Sequence, residues 1–386
     1  MENTPYLYDT LVQVLRQHRH WLDLRHLQTL AWMMVGLIHA GSISLGAWAP
    51  YVVSRAWYSQ STVRRFRRWL DNDRIDVHAL YGPLMHQALI GWRDKTLYVA
   101  LETSMLWNTY CLVRLSVIYR GRAVPLVWCV IEHRSAAVAY EGYQELLEKA
   151  APLVPFGCKV VFLADRGFTD TELLCHLKRL GWHFRIRIKA NFWIYRPGHG
   201  GFQVRDISLA CGQVRFWQGV FLTLKRFGPV HLAVARPLAS DEYWYVISDE
   251  PTDIQSLEEY GLRFDIEENF WDDKSNGFQL ESSLLRSAKA LERLCFVLAM
   301  TTLYLVSVGT AVVQQGKRRF VDPHWFRGTS YLKIGWKWVS YALSRGYELI
   351  SSVYLSSACD PEPAMASKKQ DRLRQYRFVF EQQGAA

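Results

Sequence analysis

The stretch YGLRFDIEENFWDDK, residues 260–274, decides how the chain is read. Wound as an α-helix at about 100° per residue, it puts Tyr260, Arg263, Glu267 and Lys274 in one stripe roughly 60° wide. Leu262, Ile266 and Phe270 fall on another face, roughly 200° to 280° from Tyr260. One side is built for a core, and the other carries a phenol, two cations and an acid. Glu268 points about 100° away from Glu267, so Glu267 is the carboxylate that shares the stripe. Such a stripe has two readings: a solvated face laced with intrahelical ion pairs, or part of a reactive site.

Upstream, two apolar runs end in acids. LYVALET, residues 97–103, carries Glu102, and VVFLAD, residues 160–165, ends in Asp165. Continuous apolar strands imply a sheet buried on both faces, and open α/β sheets place their sites at the carboxyl ends of such strands. Between these runs lie CLVRLSVIYRG (111–121) and AVPLVWCVIE (123–132), two β-rich segments around Gly121, and then the helical EGYQELLEKAAPLV (141–154). TDTELLCHLKRLG (169–181) reads as a helix and HFRIRIKA (183–190) as a strand. Three strands, helix, strand, helix, strand is the ribonuclease-H-like order. It brings the first and fourth strands together and sets Glu102 beside Asp165. Either acid alone could be a turn or capping carboxylate. Both together, with Glu267 downstream, favour a site.

The segments VRFWQGVFLTLKRF (214–227), VHLAVARP (230–237) and EYWYVISDEP (242–251) alternate like antiparallel strands. PGHGG, residues 197–201, reads as a loop.

Tyr, two residues, Arg, three residues, Glu, six residues, Lys resembles the signature of the insertion-sequence-4 family of bacterial DDE transposases, and each position is filled by Tyr260, Arg263, Glu267 and Lys274. ADRGF, residues 164–168, is similar to the family pattern around its second acid, and the likeness continues through GFQLESSLLRSAKALERL (277–294). At the first acid this chain reads LETS (101–104) where the family has a context like LDTT, so Glu102 stands in place of Asp. Asp94 precedes the strand and does not substitute. The likeness spans roughly residues 55 to 345.

The resemblance implies a hairpin-forming, cut-and-paste transposase with two magnesium (or manganese) ions held by Glu102, Asp165 and Glu267. Arg263 and Lys274 would contact phosphates near the transposon end, and Tyr260 would bond to a phosphate. Trp244, within EYWYVISDEP, would hold an extruded base, unless it is a core aromatic of its strand. The implied partners are double-stranded DNA (transposon ends and target) and a second copy in a homodimeric complex. The departure at Glu102 opens an alternative: a catalytically impaired or repurposed relative that binds DNA without cutting it, because magnesium tolerates displaced ligands poorly.

Bulk properties agree with a polyanion partner. Lys plus Arg number 46 against 36 Asp plus Glu, a net charge of +10, and the pI is near 9.2. In a chain half hydrophobic, that balance favours nucleic acid first and an anionic membrane surface second. Sixteen tryptophans suit both core and base stacking. Seven cysteines without a CxxC pair argue against a disulfide framework or a structural zinc site. MENTPYLYDT lacks the features of a signal peptide, and the expected setting is the bacterial cytoplasm, at the nucleoid. Leu294–Val313 has membrane-spanning length without a charge; it is read as a buried core helix, with no membrane partner expected.

The fold expected is α/β: a ribonuclease-H-like catalytic core with a β-strand insertion, preceded by an all-α N-terminal DNA-binding domain. The boundaries are 1–92 for the helical domain, 93–189 and 252–345 for the core, 190–251 for the insertion and 346–386 for a basic, oligomerising tail. In the helical domain, Arg64, Arg65, Arg67 and Arg68 interleave with Phe66 and Trp69, which reads either as a DNA-facing helix or as a solvated basic face. RGTSYLKIGWKWVSYALSRG (327–346) is either packed or DNA-facing.

Overall fold

The computed structural model describes residues 3–17, 21, 23–238, 242–263, 280–324 and 329–362. Helices α1 (Thr4–Arg16), α2 (Leu24–Ala40), α3 (Leu45–Trp48), α4 (Ser59–Leu70) and α5 (Val77–Leu89) come first. The sheet follows: β1 (Thr96–Leu106), β2 (Tyr110–Tyr119), β3 (Arg122–Glu132), α6 (Gln144–Ala150), β4 (Lys159–Ala164), α7 (Thr171–Arg179) and β5 (His183–Arg187). Next are β6 (Trp193–Tyr195), β7 (Gly201–Gln203), β8 (Val214–Leu222), β9 (Phe227–Ala235), β10 (Trp244–Ser248) and α8 (Ile254–Gly261). Two long helices, α9 (Ala288–Gln314) and α10 (Tyr331–Arg345), complete the described elements.

One mixed sheet of ten strands runs through the molecule in the order β3-β2-β1-β4-β5-β10-β9-β8-β6-β7. Only β1–β4 and β4–β5 pair in parallel. The apolar runs explain this: β2 is buried along its whole length and β4 at all but its first residue, as strands covered on both faces must be. The first and fourth strands are neighbours, as expected. The strands between β5 and α8 extend this same sheet, because β10 pairs directly with β5.

Helix α9 lies against β3, α10 and α2, and every residue of Leu294–Val313 is buried. It is the one described helix long and apolar enough to cross a membrane, and its apolar stretch is wholly covered by the rest of the chain. Its contact with α10 is backbone to backbone: a Cβ on Gly309 would collide with the Tyr331 carbonyl, and one on Gly335 with the Leu305 carbonyl. Arg293 ties α9 to the N-terminal helices by donating to the Leu70 carbonyl at 3.0 Å and pairing with Asp73 at 2.8 Å. A single apolar core therefore extends from Leu7 to Leu355. No two of the seven cysteines are joined.

Of the stretch wound from Tyr260, the described residues 260–263 lie at the end of a helix. The observed α8 starts earlier, where Asp253 caps the Ser256 amide at 3.0 Å and the Ser256 hydroxyl faces the Asp253 amide at 3.2 Å. This reciprocal cap fixes the helix start, and Tyr260 is its penultimate residue. The chain holds a helical turn through Leu262, with the Arg263 amide donating to the Tyr260 carbonyl at 3.1 Å. Glu267 and Lys274 lie outside the described residues.

Candidate active site

The parallel register builds the site. Leu101 on β1 pairs with Ala164 on β4, and Ala164 pairs with Ile186 on β5. The next residue on each chain is Glu102, Asp165 and Arg187. Three neighbouring strands, about 4.8 Å apart, thus present an acid, an acid and a cation in one row. Asp165 has left β4 in extended backbone and opens the short 3-10 turn Arg166–Phe168, so its carboxylate belongs to the carboxyl edge of the sheet. On the other side of β1, Glu102 faces Arg114 of β2 in register, and Arg114 is buried.

The α8 turn closes over this row. The Arg263 guanidinium lies 3.5 Å from a Glu102 carboxylate oxygen, with side-chain exposures of 5% and 18%. It also sits over the Tyr260 ring, 5.8 Å from the centroid, as two residues on one helical side should. Burial raises the Tyr260 phenol pKa above its ordinary value; Arg263 and Arg187 oppose that rise, and Asp165 adds to it. Tyr260, Asp165, Arg187, Arg263 and Glu102 therefore form one electrostatic neighbourhood. Arg187 donates to the Tyr243 carbonyl at 2.8 Å and pairs with Glu242 at 2.7 Å, while Thr169 donates to the Arg187 carbonyl at 2.7 Å. These bonds fasten the edge of β5 to the loop after Asp165.

Several expected site residues are placed otherwise. Trp244 is 4% exposed and meets Tyr260 edge to face, with centroids 5.3 Å apart. With Ala233, Ala235, Val246 and Leu257 the two rings form a small apolar cluster between α8 and the sheet. In this conformation Trp244 packs as a core aromatic of its strand, one of the two readings its sequence allowed. Tyr260 itself is fully buried in this conformation. On α4, Arg64, Arg67 and Arg68 are exposed, whereas Arg65 is half-buried. Arg65 lies over the Phe66 ring, and burial lowers its pKa. It is turned off the solvent stripe because it falls about 100° from Arg64 on the helix.

Arg187 escaped the sequence reading. IRIK looks like an ordinary strand end, and only the register with Asp165 gives the arginine its meaning. The signal was the period-two alternation of Arg185 and Arg187 against Phe184, Ile186 and Ile188, which puts two cations on one strand.

Glu102 and Asp165 offer carboxylate oxygens, the donor type that hard divalent cations such as magnesium or manganese take. The guanidinium against Glu102 shows that positive charge is accommodated here, so the two acids fit such an ion in chemistry and in adjacency. Among the described residues no three His, Cys, Asp or Glu converge as a metal-holding group; the proposed third acid, Glu267, is outside them.

The profile of the family described as "Transposase DDE domain" matches residues 108–304, just over half of the chain. The match includes Asp165, Tyr260 and Arg263 and begins after Glu102. The chain belongs to the transposase DDE domain family, a family of DNA-cleaving transposases with DNA as their partner. No curated protein sequence matches it significantly. Among solved structures it is similar to the piggyBac transposase synaptic complex with hairpin DNA, at 11% identity and a TM-score of 0.43, covering 98% of this chain and 84% of the other.

Proposed function

We propose that this chain is the transposase of an insertion sequence of the insertion-sequence-4 type, binding terminal inverted repeats and carrying out metal-dependent strand cleavage and strand transfer. The observation that carries the proposal is the adjacency of Glu102 and Asp165 at the carboxyl ends of parallel β1 and β4, each one residue beyond the Leu101–Ala164 pair, with Arg263 against Glu102. Family membership supports the reaction class, and the order β3-β2-β1-β4-β5 supports a ribonuclease-H-like core.

Glu102 and Asp165, with Glu267 as the third acid, would hold magnesium or manganese. A pair of such ions, when bound, supplies an activated water or 3′-hydroxyl and stabilises the leaving oxygen. The chain's own residues do the rest. Arg263 and Arg187 offset charge gathering on the scissile phosphate, in a site sheltered enough for such charges to count. The α8 turn holds Arg263 over the acids. Arg64, Arg67 and Arg68, on the exposed stripe of α4, bind the DNA backbone through counterion release. Lys274 is assigned to end binding, and residues 1–92, 93–189 with 252–345, 190–251 and 346–386 to the DNA-binding, catalytic, insertion and tail segments. A homodimer on DNA and a nucleoid setting complete the proposal.

A second reading is favoured by one observation. Glu102, where the resemblance expects Asp, is one methylene longer and engaged by Arg263; on this second reading the protein binds ends without cutting them. The test is magnesium-dependent cleavage of duplexes carrying the repeats that flank the gene, by the natural protein and by Glu102→Asp. Robust natural cleavage supports an active enzyme; cleavage only by the Asp variant supports the second reading.

A further inference from the structure

The loop ahead of α4 carries the most exposed large apolar side chain among the described residues. Trp57 is 96% exposed, and its neighbour Tyr58 is 77% exposed. Other described tryptophans are tied into the fold: the Trp48 indole donates to the Ser42 carbonyl at 2.6 Å, Trp69 to the His26 carbonyl at 3.0 Å and Trp128 to the Glu292 carbonyl at 3.0 Å. Trp57 is nearly as bare as in an unfolded chain. A large aromatic left in water contributes little to the fold and is free to bury its faces against a partner.

Its surroundings point to the use. Tyr58 is the extended residue that opens α4, so the Trp57 ring stands at the head of that helix. Thr62, Phe66, Trp69 and Leu70 of α4 are buried, which leaves Gln60, Ser61, Arg64, Arg67 and Arg68 as the solvent stripe. Arg55, two residues before Trp57, is exposed as well. From residue 49 to residue 70 the chain has no Asp or Glu. An aromatic pair flanked by unopposed guanidinium groups matches the chemistry of a base beside its phosphates.

We propose that Trp57, supported by Tyr58, stacks on an unpaired base of DNA docked along the arginine stripe of α4. The surface would then favour distorted or partly opened DNA over a regular duplex. This rests on the reading of α4 as a DNA face. Trp244 is buried against Tyr260, whereas Trp57 is open to solvent.

The test uses the full chain and fluorescence anisotropy with two short duplexes, one fully paired and one carrying a single bulged thymine. The natural protein is expected to prefer the bulged duplex. Trp57→Ala should lose that preference, with affinity for the bulged duplex falling on the order of tenfold and the salt dependence unchanged, because a stacked base and not a phosphate contact is removed. Trp57→Phe should keep most of the preference. Retention of the preference by Trp57→Ala, or no preference in the natural protein, overturns the proposal. The joint substitution of Arg64, Arg67 and Arg68 by Ala separates the two levels. If it leaves affinity and salt slope unchanged, α4 is not a DNA face and both readings fall. If it flattens the salt slope by about one per arginine while Trp57→Ala behaves as the natural protein, only the stacking proposal falls. Binding to vesicles of phosphatidylcholine and phosphatidylserine that depends on Trp57, with base preference untouched, would also overturn it in favour of a membrane surface.

Discussion

The two ends of the parallel strands are both charged, but their charges are arranged differently. At the amino end, Arg185 on β5 is the hub of short bonds: 2.8 Å to Glu259, 2.8 Å to Glu250 and 2.9 Å to Ser248. Tyr98 donates to Glu259 at 3.0 Å, Lys159 reaches Glu250 at 2.6 Å and His183 meets Asp249 at 2.8 Å. Opposite charges interleave there, and they lock α8 to β1 and β5. At the carboxyl end, Glu102 and Asp165 sit side by side on neighbouring strands, and the Arg263–Glu102 pair is longer, at 3.5 Å. Two carboxylates in adjacent positions repel unless a cation joins them. The amino end is arranged for stability, and it holds the helix that brings Arg263 to the other end, which is arranged for chemistry.

The sharpest way to break this comparison is Asp165→Asn. Cleavage of end DNA is expected to fall by more than the roughly ten- to hundredfold typical of losing an outer-shell partner of a metal. Unfolding free energy should change by no more than about 0.5 kcal/mol, since a repelling acid is removed. Urea titration and single-turnover cleavage together check it; a large stability loss would mean that Asp165 is structural.

Arg185→Met should behave in the opposite sense. Breaking a buried ion network by removing one partner costs about 3 kcal/mol, read as a lower urea midpoint, with cleavage impaired only as far as α8 is loosened. Arg263→Ala is expected to cut cleavage roughly a hundredfold, comparable to removing one preorganised donor from an oxyanion site.

Acid titration sharpens the amino end. Burial raises the pKa of Glu250, but Lys159, Arg185 and His183 outweigh it and hold the carboxyl down at about 2, from an ordinary 4.5. The unfolded chain takes up this proton at the higher pH. The stabilisation is therefore complete above about pH 4.5 and is lost as pH falls toward 2. Glu250→Gln should lower stability at neutral pH and flatten the loss through that window. Smallest of all, Tyr260→Phe should cost no more than about 1.5 kcal/mol and leave cleavage nearly unchanged, because the ring contact with Trp244 persists. A severe loss of end binding would instead return the phenol to DNA.

Much of the scaffold was legible in the sequence. The runs at 97–102, 111–121, 123–132 and 160–165 are largely apolar because their strands pack within the core, and with the alternating strand at 183–190 their order implied the adjacency of Glu102 and Asp165. The uncharged run at 294–313 announced α9 in the same way. What could not be read depends on partners distant in sequence. Arg187 acquires a role only through register with Asp165, and Arg185 only through Glu259 and Glu250 from the far side of the β segment. Trp244 looked available because nothing near it in sequence says that Tyr260 will cover it. The start of α8 is set by the reciprocal cap of Asp253 and Ser256, upstream of the charged stripe that begins at Tyr260.

The most direct test of the central claim is thiol substitution at the second acid. Asp165→Cys should be inactive on end DNA with magnesium, which takes oxygen donors, and regain measurable cleavage with manganese, which accepts a thiolate more readily. Glu102→Asp should remain magnesium-competent. That pattern would place Asp165 in contact with the metal. Equal cleavage by Asp165→Cys in the two metals, or cleavage that persists without divalent cations, would contradict the account.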